Sequence, residues 1–165
     1  MKLQTGDRVP EIKAESYRFD SVSEKVVVEQ WSLAEAVKKS PILFIFYPGD
    51  FTAVCTKQLC DYRDNWHQLG KLPVEIVGIS LDSGKKHSDF AAQFKLPMRL
   101  LNDSAGGASG HITDLFGMKL FGLPMANRGF ILVGKDQRIK YIFREVLPIF
   151  RRSAAEVVAL LKAYL

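Results

Sequence analysis

Residues 41 to 47 read "PILFIFY", an apolar run with a proline at its head and Pro48-Gly49-Asp50 directly behind it. A run of this kind reads as a strand covered on both faces, the setting of a strand inside a layered α/β sheet. A second strand is predicted at "VEIVGISL", residues 74 to 81. Between them Leu59, Tyr62, Trp66 and Leu69 recur at helical spacing, with Cys55 four residues before Leu59 on the same stripe. The spacing predicts a helix from near Thr52 to about Gly70, where glycine is a natural stop. Strand–helix–strand crossovers are right-handed, so the two strands should be parallel and adjacent or nearly so.

The remaining elements follow the same rules. Residues 1 to 25 are turn-rich and suggest an irregular start or a hairpin, and "KVVVEQWSL" reads as a strand. "SLAEAVKK" makes two helical turns entered at Ser32. A helix from about Ser83 turns Phe90, Ala91 and Phe94 inward, and "MRLLND" is a short strand. "SAGGASG" is a loop leading to a helix at "ITDLFG"; "GFILVG" and "IKYIFRE" are strands joined by "KDQR". In the closing helix Ser153 and Glu156 match a capping box, with Val157, Leu160, Leu161 and Tyr164 as its buried stripe. The sum is one three-layer α/β domain over residues 1–165, without repeat or linker.

Composition narrows the function classes. Lys and Arg outnumber Asp and Glu to give a net charge of +5, yet they are scattered, with doublets only at 38–39, 85–86 and 151–152. A polyanion footprint is a stripe or an arm, so no nucleic-acid partner is expected. No segment nears the roughly 20 apolar residues of a membrane span, and "MKLQTGDRVPEIKAE" lacks the apolar core of a secretory signal. The expected setting is the cytoplasm, where thiols are mostly reduced.

In that setting the close pair Cys55 and Cys60, in "FYPGDFTAVCTKQLC", points to catalysis or metal binding more than to a permanent staple. Cys55 falls in the first turn of the predicted helix, where unpaired N–H groups and the helix dipole favour a thiolate. Thr52 can cap that helix or offer its hydroxyl to something bound above the thiol. Pro48 stiffens the approach. A small buried hydrophobe completing the stripe is the bland alternative for Cys55. In a regular helix, residues five apart have Cα atoms about 8 to 9 Å apart, beyond the roughly 7 Å limit for a disulfide. If the two sulfurs join during function, the first turn must unwind. A metal site is not expected, because His67, His87 and His111 are spread over three elements and no second cysteine pair exists.

Pro48-x-x-x-Thr52-x-x-Cys55 resembles the active-site signature of the peroxiredoxins. The longer stretch "FYPGDFTAVCTKQLCDYRD" is similar to the Q-type branch, also called bacterioferritin comigratory proteins. "VGISLDSGKKHSDFAAQFKLPMRLLND" and "NRGFILVGKDQRI" match further family segments in order, so the resemblance covers about residues 40 to 145. It implies a thioredoxin-like fold with a central mixed β-sheet flanked by helices, and reduction of hydrogen or organic peroxides without cofactor or metal. Cys55 would be the peroxidatic cysteine, oxidised to a sulfenic acid. Cys60 would resolve it as an intramolecular disulfide, reduced again by thioredoxin or a similar dithiol protein. Thr52 and Pro48 match the residues that place and shield the peroxide, and Arg128 the arginine that stabilises the thiolate and polarises the peroxide. The chain should be a monomer or weak homodimer.

Two rivals remain: a one-cysteine enzyme resolved by an outside thiol, and a non-enzymatic redox-sensing or chaperone-like protein on the same fold. Arg63, Asp64, Tyr47 and Phe51 read as solvated charges or core, and His87 as a packing or capping residue. "GGASG" departs from the Gly-Gly-Leu-Gly loop of peroxide-sensitive members. The segment from Asp20 to Pro41 fits the family pattern poorly.

Overall fold

The computed structural model describes residues 2–103, 111–120, 123, 125–146 and 151–165. The "SAGGASG" loop lies outside them. Strands β1 (Lys13–Asp20) and β2 (Lys25–Ser32) form an antiparallel hairpin. Its turn is tied by Asp20, whose carboxylate accepts from the Ser23 backbone N–H and hydroxyl at 3.0 and 2.7 Å. The N-terminal edge is therefore regular, and β1 begins inside residues 1 to 25, where turns predict an irregular start or a hairpin. Helix α1 (Leu33–Lys39) is capped by Ser32, whose side chain accepts from the Glu35 N–H.

Strands β3 (Ile42–Phe46) and β4 (Glu75–Ser80) are parallel neighbours, as the crossover rule requires. With β5 (Arg99–Asn102), β6 (Gly129–Val133) and β7 (Ile139–Arg144) they complete one mixed sheet, in the order β2-β1-β5-β4-β3-β6-β7. The apolar run has a simple cause. Ile42, Phe44 and Phe46 point into one core cluster and Leu43, Ile45 and Tyr47 into another, one on each face of the sheet. Each fully buried side chain of this size contributes about 1.5–3 kcal/mol, so β3 anchors both layers.

Helix α2 (Ala53–Asp64) carries both cysteines. It does not run on to Gly70. Asn65 leaves helical geometry (φ −106°, ψ 20°), its side chain donates to the Asp61 carbonyl at 2.8 Å, and α3 (Trp66–Leu69) restarts after it. Helix α4 (Gly84–Phe94) follows β4 and buries Phe90 and Ala91, with Phe94 half-buried. Helix α5 (His111–Leu115) precedes β6. The last helix, α6 (Ala154–Tyr164), has the expected capping box, but its buried residues are Ala154, Val157 and Leu161. Leu160 is only half-buried and Tyr164 is half exposed, its ring tilted at 51° against Tyr141 of the edge strand β7 with centroids 5.0 Å apart. Among the described residues no helix is long and apolar enough to cross a membrane.

Candidate active site

The site is built where β3 ends. Its chain leaves the sheet at Tyr47, turns through 48–52 and enters α2, while antiparallel β6 begins alongside, Phe46 opposite Gly129. That register brings Arg128, the residue before β6, to the first turn of α2. The main chain is held there: Glu145 N–H donates to the Arg128 carbonyl at 2.9 Å and the Asn127 amide to the Glu145 carbonyl at 3.0 Å. Gly129 must be glycine, since a Cβ would lie 2.4 Å from the Phe143 carbonyl oxygen.

Cys55 and Arg128 are buried, and Arg128 Nη2 donates to Cys55 Sγ at 3.0 Å. A guanidinium this close to sulfur, out of water, stabilises negative charge there. Arg128 Nη1 donates to Gln58 Oε1, Gln58 Nε2 to the Tyr62 hydroxyl at 2.9 Å, and that hydroxyl to the Arg152 carbonyl at 2.8 Å. Burial pushes Tyr62 above the ordinary tyrosine range, so it stays a donor. The chain of bonds aims the guanidinium at the sulfur and fastens α2 to the start of α6. Sequence reasoning passes over Gln58 and places Tyr62 only on the helical stripe, without a polar role. The signal was there: both lie on the Cys55 face of the helix, where a glutamine needs a partner.

Thr52 occupies the N-cap position, but its side chain does not cap α2. The hydroxyl donates backwards to the Gly49 carbonyl at 2.9 Å, closing the turn. It is exposed, one turn before Cys55, and half-buried Pro48 lies at the strand exit. Phe51 holds φ at +63°, a strained value for a bulky residue, with its ring 5.0 Å from Phe90 and 6.1 Å from Phe94. Arg63 donates to the Phe94 carbonyl at 2.8 Å and pairs with Asp64, a structural contact between helices.

Cys60 is half-buried on the same intact helix, and both thiols are free. Burial pushes the Cys60 thiol above its ordinary value of 9.0, with Arg63 opposing and Asp64 reinforcing the shift. In Cys55→Ser protein the thiolate absorbance at 240 nm should therefore rise with a midpoint above 9.0. A midpoint below that value would contradict the burial. Among the described residues no group of three or more His, Cys, Asp and Glu could hold a metal ion.

A buried thiol thus lies under an arginine at the first turn of a helix that leaves a mixed α/β sheet. The AhpC/TSA family matches residues 5–142, and the chain belongs to that family. Among curated relatives, chloroplastic peroxiredoxin Q of Sedum lineare is 43% identical over 83 residues, 48% of this chain and 45% of that protein. The putative peroxiredoxin bcp of Coxiella burnetii is 47% identical over 75 residues, 46% of this chain and 49% of that one. These names place the likeness in the Q-type branch. The chain spans about half the length of the curated relatives it matches. Among solved structures, Mycobacterium tuberculosis AhpC superimposes with TM-score 0.83 at 21% identity, covering 99% of each chain. Enterococcus faecalis AhpC gives 0.82 at 24%, covering 99% of this chain and 93% of that one. Those two show the fold.

Proposed function

We propose that this chain is a thiol-dependent peroxidase for hydrogen peroxide and organic hydroperoxides. The observation that carries the reading is Arg128 Nη2 at 3.0 Å from the buried Cys55 sulfur, at the N-terminal turn of α2. The Cys55 thiolate attacks the nearer peroxide oxygen and the O–O bond breaks. Sulfur is oxidised to the sulfenic acid, and the leaving oxygen takes up the proton that Cys55 gave on ionising, departing as water or an alcohol. Arg128 stabilises charge on sulfur and on the departing oxygen. Thr52 and Pro48, in the turn ahead of Cys55, place and shield the peroxide.

Resolution falls to Cys60, whose thiol attacks the sulfenic sulfur, expels water and forms the Cys55–Cys60 disulfide. A dithiol protein such as thioredoxin then reduces it by exchange, in a reducing compartment such as the cytoplasm. Five residues apart on an intact helix, the cysteines are about 7.5 Å apart along its axis, so α2 must unwind first. The far end is anchored: Asp61 Oδ2 accepts from Ala154 N–H at 2.7 Å and Tyr62 reaches Arg152. Unwinding is thus limited to about the two turns from 53 to 60.

One equivalent of peroxide should lower the free thiols from two to none in a protein that stays monomeric without reductant, with helical circular dichroism falling by about two turns. Unchanged helicity in the oxidised protein would sink the unwinding step. Cys60→Ser should react once and then stall with thioredoxin as reductant. Full turnover by that variant would transfer resolution to an outside thiol.

A further inference from the structure

Behind the 48–52 turn lies a buried polar group that the cycle above leaves unused. His87 and Asp50 are both buried, with His87 Nδ1 at 2.6 Å from Asp50 Oδ2 and His87 Nε2 at 3.0 Å from the Leu101 carbonyl oxygen. A carbonyl oxygen only accepts, so Nε2 carries hydrogen, and one further proton lies between Nδ1 and Oδ2. The pair is neutral overall whichever atom holds that proton. Its surroundings complete the set. From the end of β3 the Tyr47 hydroxyl donates to Asp50 Oδ1 at 2.6 Å. After β4, Asp82 Oδ2 accepts from the Asp50 N–H at 2.6 Å, while its other oxygen pairs with Lys86 Nζ of α4 at 3.2 Å. From β1 the Tyr17 ring stands 6.1 Å from the imidazole, its hydroxyl turned to Glu15.

Asp50 is thereby held through both side-chain oxygens and its N–H. It sits between Gly49, which receives the Thr52 hydroxyl, and Phe51 in its strained conformation. Helix α4 grips the turn twice, through His87 on Asp50 and through Phe90 and Phe94 on Phe51. A bulky residue at positive φ persists only where its neighbours over-determine it. On the peroxidase reading, we infer that His87 and Asp50 are positioning residues, whose hydrogen bonds hold the 48–52 turn so that Thr52 and Pro48 meet the peroxide in line with Cys55. Neither touches the reacting atoms. A misplacement of about 1 Å in such a turn can cost on the order of 100-fold in rate.

The test is made in the Cys60→Ser background, where Cys55 is the sole thiol, by stopped-flow reaction with hydrogen peroxide and titration at 240 nm. His87→Leu and Asp50→Ala should each react roughly 10- to 100-fold more slowly, while the Cys55 titration stays where it was. Asp50→Asn can accept from Tyr47 and donate to neutral His87, so it should recover most of the rate lost in Asp50→Ala. A folded His87→Leu reacting at the parental rate would overturn the inference. So would a shifted Cys55 titration that accounts for the loss, or an Asp50→Asn no faster than Asp50→Ala. If His87→Leu fails to fold, Asp50→Ala and Asp50→Asn carry the comparison. A parent inert to peroxide would instead sink the peroxidase reading, so the two failures are distinct.

Discussion

Cys55→Ser should abolish peroxide consumption, lowering the rate by about 10⁴-fold or more to the solution background. The reason is chemical rather than structural. A serine hydroxyl is close in size to the thiol and can still receive Arg128 Nη2, so the buried first turn of α2 keeps its contacts. What it lacks is an accessible anion at neutral pH and an orbital suited to attack on an O–O bond. Thermal unfolding of the variant should stay close to wild type, while a coupled thioredoxin assay reads the loss. Full peroxidase activity in Cys55→Ser would overturn the central proposal, whereas a wild type inert to peroxide would return the chain to the non-enzymatic reading.

Arg128→Met carries the next largest effect. Methionine fills much of the same buried volume but donates nothing, so the sulfur and Gln58 Oε1 both lose their partner. The second-order rate of Cys55 with peroxide should fall by about 10²–10³, the scale of removing one oriented donor from a charge-developing site. The Gln58 Oε1 left without its donor should also cost roughly 1–3 kcal/mol of stability, seen as a lower denaturant midpoint. Arg128→Lys keeps the charge but not the two-pronged fork that reaches Gln58 and Cys55 together, so it should restore only part of the rate. A stopped-flow rate in Arg128→Met equal to wild type would remove the arginine from the mechanism.

Much of this site could be read in the chain, because its parts are short-range. The run at 41–47, the break at Pro48 and the stripe through Cys55 and Leu59 place a thiol at a helix start after a buried strand, and the structure has them there. Ser153 and Glu156 form their capping box for the same local reason. The helix stop was misplaced because Trp66 and Leu69 continue the spacing across Asn65, and periodicity does not register a single residue leaving helical geometry. The stripe at Tyr164 failed differently: spacing names the face of a helix, not which strand lies under it, and Tyr164 meets Tyr141 of the edge strand β7.

The sequence by itself determined where Cys55 stands, since strand, turn and helix start act within a few residues. It also supplied Arg128, through a motif rather than a contact. Only the tertiary structure decided what surrounds the thiol. Arg128 reaches Cys55 across 73 residues because β6 lies antiparallel to β3 in one register. His87 reaches Asp50 across 37 because α4 crosses behind the turn. No local spacing encodes either meeting; both follow from which strands pair and which helix faces they bury.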